Sequence, residues 1–147
     1  VVKSSAGGLL NFLPAIIFVI GAVIAFATGT SWGTFGILIP IVVDVFSGTN
    51  HELMIISISA CMAGAVCGDH CSPISDTTIM ASAGAQCEHV NHVSTQLPYA
   101  MVAAVVSFLT YIIAGFVQTP WIALPAGFIL MAVTLVIIRV KFDDLKI

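Results

Sequence analysis

Long apolar runs, separated by short clusters of small and polar residues, set the plan of this chain. Residues 10–28 form the first run, with Pro14 near its start, where a proline fits a first helical turn. As a helix this run rises about 28 Å, close to a full bilayer crossing. Gly29-Thr30-Ser31-Trp32-Gly33-Thr34 interrupts it, and a second apolar arm over residues 35–46 adds about 18 Å. The two arms are too long for one crossing, and the second is short for a crossing of its own. Residues 10–46 therefore read either as a re-entrant hairpin with its tip at 29–34, the preferred reading, or as two tilted helices.

The same arithmetic applies downstream. Residues 1–9 read as a loop and residues 47–52 as a polar turn. Residues 53–67 form an apolar arm of about 22 Å, and residues 77–84 resume it for about 12 Å. Together they match one crossing with a break inside it, which is the discontinuous helix of secondary transporters. Non-helical backbone at that depth has to be buried in protein or line a wet cavity. Residues 85–97, with Glu88, His89, Asn91 and His92, read as a polar loop. Spans follow at 98–118 and 121–139, with Tyr99 and Trp121 at interfacial positions. The tight join at Thr119-Pro120 makes these last two helices antiparallel neighbours. The expected fold class is an all-α integral membrane helical bundle forming a single transmembrane domain over residues 1–147.

Composition supports the membrane setting. The chain is 59% apolar and only 7% charged, against about 25% charged in soluble domains. Its mean hydropathy is +1.13. All four basic residues, Lys3, Arg139, Lys141 and Lys146, lie near the ends. Lys141 and Lys146 suggest a cytoplasmic end. The absence of any basic patch excludes nucleic-acid binding. The acids Asp44, Glu52, Asp69, Asp76 and Glu88 all fall in the region without Lys or Arg. Their partners must be protons, metal ions, histidines or groups on another part of the protein. Val at position 1 and the absence of a leader pattern suggest the C-terminal part of a longer chain.

The chemistry concentrates in Gly68-Asp69-His70-Cys71-Ser72-Pro73-Ile74-Ser75-Asp76-Thr77-Thr78. A carboxylate at a helix centre in a membrane costs about 2.5–3.5 kcal/mol and usually faces a cavity or a partner. Two such groups in an apolar setting can hold a proton at one time and a hard cation at another, and oxygen ligands suit that cation. Ser72, Ser75, Thr77, Thr78 and carbonyls freed near Pro73 supply further oxygens, with Gly68 and Pro73 breaking the helix. Asp76 either binds ions or caps the second half-helix. His70 either handles protons or orients Asp69 by a hydrogen bond. Thr30 and Ser31, between the helix-breaking Gly29 and Gly33, face this cluster if the hairpin reading holds. Otherwise the segment is a packing seam of small residues. Asp44 reads as interfacial. Cys61, Cys67 and Cys71 fit no usual zinc spacing, and Cys87–His92 reads as a polar loop before it reads as a metal site. No permanent metal and no cofactor are expected.

Two strings, Gly29–Gly36 with Pro40 and Gly68–Ile79, resemble the NhaC-type Na+/H+ antiporter family, and Thr95-Gln96-Leu97-Pro98-Tyr99 is similar to it as well. The second string is long and specific. The likeness is strong over residues 29–99 and weaker over the last two spans. It implies a secondary antiporter of the multi-pass plasma (inner) membrane that exchanges Na+ for H+, with some relatives coupling to small organic acids such as malate or lactate. It also implies one half of an inverted-repeat transporter, each repeat pairing a hairpin with a broken helix, so that a missing N-terminal half or a partner chain completes the pathway. On this resemblance Asp69, Asp76, Ser72, Thr77, Thr78, Thr30 and Ser31 form the Na+/H+ site. An intramembrane aspartyl protease is the reading from another class. It is disfavoured because both aspartates lie on one broken segment rather than facing each other across helices.

Overall fold

A computed structural model describes residues 7–48 and 50–144. Lys3, Thr49 and Lys146, and the loop expected over residues 1–6, lie outside the described residues. The described part is helical, without a strand. The helices are α1 (Gly7–Leu10), α2 (Leu13–Thr28), α3 (Ser31–Phe46), α4 (His51–Cys71), α5 (Asp76–Gly84), α6 (His89–Val117) and α7 (Pro120–Asp144). Four helical stretches are long and apolar enough to cross a membrane: Gly8–Thr28, His51–Cys71, His89–Val117 and Pro120–Lys141.

Local chemistry explains the boundaries. Pro14 stands in the first turn of α2, and Gly29 ends that helix in the left-handed region at φ 69°, its N–H donating to Ala25 O. Only glycine takes that conformation without penalty. Thr30 then N-caps α3, its Oγ1 accepting from the Gly33 N–H at 3.5 Å. Asn50 N-caps α4, its Oδ1 accepting from the N–H groups of Glu52 and Leu53 at 3.0 and 3.3 Å.

The most extensive packing is α2 along α4. Gly64 and Gly68, four residues apart on α4, sit so close to the backbone of α2 that a Cβ would collide with the carbonyls of Phe18 and Ala22. Gly21 presses back against the Cys61 carbonyl. Small residues at this spacing let two membrane helices approach closely. Leu53 on α4 packs with Val42 and Phe46 of α3 in a common apolar cluster. α6 lies against α2 and α4, and α7 packs mainly on α6. The outer faces of these helices are apolar, with Ile122, Phe128, Ile129 and Val136 exposed on α7, as a lipid-facing helix requires.

At the far end of α2, α3 and α4 from the helix breaks, one side chain ties three connections together. Gln118, left-handed at φ 51°, accepts from Asn50 Nδ2 at 3.0 Å and donates to Asn11 Oδ1 at 3.4 Å.

Several expectations need correction. Residues 7–9 are helical rather than loop. Gly68 and Gly33 lie inside α4 and α3 and break neither helix; Gly68 is there to let α2 approach. The polar loop shrinks to residues 85–88, because α6 begins at His89 and runs through Pro98. Pro98 has no N–H to offer the Ser94 carbonyl, yet the helix continues through it. Finally, α4 alone has 21 residues, about 31 Å, so it has crossing length without α5. The break therefore sits at the end of a helix of full length rather than midway along one crossing.

Candidate functional site

Two chain breaks meet at the end of α4. Gly29, between α2 and α3, touches Ile74 in the four-residue break between α4 and α5: a Cβ on it would stand 2.8 Å from Ile74 O. Asp69 lies beside this junction in the last turn of α4, only 4% exposed. Its carboxylate reaches hydroxyls from three places. Ser31 Oγ, on the first residue of α3, donates to Oδ2 at 3.4 Å. Ser75 Oγ, in the break, lies 2.6 Å from Oδ1. Thr77 Oγ1, in the first turn of α5, lies 3.2 Å from Oδ2. Ser75 and Thr77 also touch each other, Oγ to Oγ1, at 2.6 Å.

This placement follows from how the helices end. The first N–H groups of α3 and α5 have no helical partner and carry partial positive charge, which favours a nearby carboxylate. The last carbonyls of α2 and α4 are likewise unpaired and point partial negative charge outward, which suits a cation. The junction thus offers an acid, three hydroxyls and four helix ends.

The hydrogens within this ring can be counted. Asp69, Ser75 and Thr77 make three mutual contacts, but the two hydroxyls own only two hydrogens. Ser75 donates to Oδ1, Thr77 donates to Oδ2, and either hydroxyl can share its hydrogen across the Ser75–Thr77 pair.

The remaining residues singled out from the sequence are placed differently. Ser72 is fully buried and shapes the break: its N–H donates to Asp69 O at 3.1 Å, and its Oγ accepts from the Ile74 N–H at 3.4 Å. Pro73 is within the break, its carbonyl bound from outside by His89 Nε2 at 2.6 Å. Thr78 is buried but is not among the partners of Asp69. Thr30 spends its hydroxyl on capping α3. Asp76 is exposed at the first position of α5, where an acid complements the helix dipole. His70 is exposed and turned back on its own helix, Nδ1 lying 2.9 Å from Val66 O. Cys61, Cys67, Cys71 and Cys87 are free thiols. Among the described residues no three His, Cys, Asp or Glu side chains converge as a metal cage.

Ser75 carried no special weight in the sequence beyond being one of several oxygens of the break, yet it makes the shortest contact to Asp69. His89 was read only as part of a polar loop or a metal candidate, because its contacts with Pro73 and Ser82 span a turn that sequence spacing does not encode.

Known proteins add to this geometry. An uncharacterized protein of Haemophilus influenzae is 53% identical over 129 residues, covering 88% of this chain and 24% of that protein. The malate-2H(+)/Na(+)-lactate antiporter of Bacillus subtilis is 31% identical over 112 residues, covering 73% of this chain and 24% of that protein. An uncharacterized Na(+)/H(+) antiporter of Haemophilus influenzae is 32% identical over 112 residues, again 74% of this chain and 24% of the relative. The chain thus spans about a quarter of the length of these relatives. No solved structure matches it. The profile of the Na+/H+ antiporter family matches residues 2–116, reaching from the α2–α3 pair through the break to the end of α6, and the chain belongs to that family.

Proposed function

We propose that this chain provides the ion site of an NhaC-type Na+/H+ exchanger, with Asp69 as the group that binds Na+ and H+ in turn. The burial of Asp69 against the hydroxyls of Ser31, Ser75 and Thr77, drawn from α3, the break and α5, is the observation that carries this reading. Four oxygens, two from Asp69 and one each from Ser75 and Thr77, crowd together where one positive species can join them, and a proton on Asp69 is one such species. A Na+ ion among the same oxygens satisfies the ring in the other way, since hard cations take oxygen ligands. A carboxyl that carries the proton cannot also coordinate, so the two ions exclude each other. Ser31 and the carbonyls ending α2 and α4 complete the shell, Ser72 and Thr78 support it, and Thr30 and Asp76 stand at its edge. In this reading α2 and α3 form a re-entrant hairpin whose tip meets the broken helix α4–α5. The remaining part of the protein supplies the opposing repeat in the plasma membrane.

The test is Na+-driven proton movement in vesicles holding native-length protein. Asp69→Asn is expected to abolish it. Exchange that survives with unchanged Na+ dependence would sink the assignment. A second reading, a Na+-coupled exchanger of small organic acids, is favoured by the likeness to the malate and lactate antiporter and by two helix N-termini that attract a carboxylate. Malate and lactate added as competitors separate the two: inhibition of Na+ exchange supports the second reading, and indifference supports the first.

A further inference from the structure

The N-terminal part of α6 grips the break from outside. His89, its first residue, is half-buried and places Nε2 2.6 Å from Pro73 O and Nδ1 3.0 Å from Ser82 Oγ. A carbonyl oxygen only accepts, so Nε2 carries a hydrogen and donates it. Ser82 is buried in the second turn of α5, where its hydroxyl also lies 2.9 Å from Ile79 O. The imidazole therefore couples the break to the body of α5. Two turns further along α6, Gln96 Nε2 donates to His70 O at 3.2 Å, at the end of α4. The two held carbonyls, His70 and Pro73, bracket Ser72. Two residues beyond Pro73 is Ser75, whose 2.6 Å contact with Asp69 depends on how the break is set.

We propose that His89 is a positioning residue for the Asp69 site, pinning the 72–75 backbone so that Ser75 and Thr77 reach the carboxylate. It does not touch the ion. The role rests on the ion-site reading above, and two measurements keep the ideas apart. In native-length protein, His89→Ala is expected to raise the Na+ concentration for half-maximal exchange about tenfold or more, as loss of a supporting partner does at metal sites. It should also speed amide hydrogen exchange across residues 72–78, the sign of a loosened segment. His89→Gln, with one donor and one acceptor for the same two partners, is expected to recover most of both. Unchanged hydrogen exchange in His89→Ala overturns the proposal, and so does a loosened break with wild-type Na+ dependence. Should His89→Ala fail to insert, Ser82→Ala removes only the Nδ1 partner. It is expected to shift both readouts in the same direction by less, and no shift in either overturns the proposal. Asp69→Asn in the same vesicles reads the parent idea separately. If it retains exchange, the ion-site reading falls and the positioning role falls with it, while hydrogen exchange still reports whether the tie exists.

Discussion

Gly29→Ala is a severe test of the contact between the two breaks. Gly29 sits at φ 69° and ψ 22°, where an alanine costs about 1–2 kcal/mol from its Cβ alone. That Cβ would also meet Ile74 O at 2.8 Å, Ile74 C at 3.0 Å and Ile74 Cγ1 at 3.1 Å. Two of these atoms are backbone, so relief requires the break to move, an overpacking cost of about 1–3 kcal/mol. The combined destabilisation is roughly 2–5 kcal/mol. It is directed at the residue before Ser75, so the Na+ dependence of exchange should weaken together with stability. Gly36→Ala is the control: that glycine is exposed in α3 with nothing within 4 Å of a Cβ. Alanine there should leave stability unchanged or raise it by up to about 1 kcal/mol through helix propensity. Gly29→Asn divides the effect, since asparagine tolerates the left-handed region but still brings a Cβ to Ile74. Denaturation of purified protein, with vesicle exchange alongside, reads all three. If Gly29→Ala matches Gly36→Ala in both assays, the two breaks do not mesh as described.

Substitutions at three other positions probe separate parts of the fold. Ser57 is fully buried and its hydroxyl has no partner among the described residues, so Ser57→Ala should be neutral or stabilising by about 1 kcal/mol. A clear loss in a denaturation curve would show that the hydroxyl is bound by something beyond these residues. Asn50→Ala removes both a helix cap and the donor to Gln118 and should cost about 1.5–3 kcal/mol in the same measurement. Asn50→Asp keeps the cap alone and should cost less. Asp76→Asn should leave the Asp69 ring intact and give up only about 0.3–1 kcal/mol of helix-dipole stabilisation. Its vesicle exchange is expected to stay far closer to wild type than that of Asp69→Asn, and equal losses would put Asp76 in the ion path.

Much of the architecture was legible because lipid demands long apolar helices, and runs such as 98–118 and 121–139 have the length to be read directly. Boundaries were less legible where one residue type serves two purposes. Gly68, beside a proline and a polar cluster, looked like punctuation, but it is a packing residue under the Ala22 carbonyl. Pro98 looked like a helix start because polar residues precede it, yet α6 begins at His89 and runs through it. Within the site, Asp69 was identifiable as an acid in an apolar context. Its separation from Asp76 was not. Seven residues make about two helical turns, which would put both acids on one face of an unbroken helix. The break at 72–75 cancels that relation, burying one and exposing the other.

The Gln118 tie gives the bundle a fixed end. Asn11, Asn50 and Gln118 lock the starts of α2 and α4 to the end of α6, whereas both breaks lie at the opposite end. A helix pinned at one end is a lever. Over the roughly 31 Å of α4, a tilt of about 5° moves the far end by about 2–3 Å, a displacement typical of packed helices that slide or hinge. That distance equals an oxygen–cation bond. Gly64 and Gly68 lie in the last two turns of α4, so any such tilt has to carry α2 with it at the Phe18 and Ala22 contacts beside Asp69.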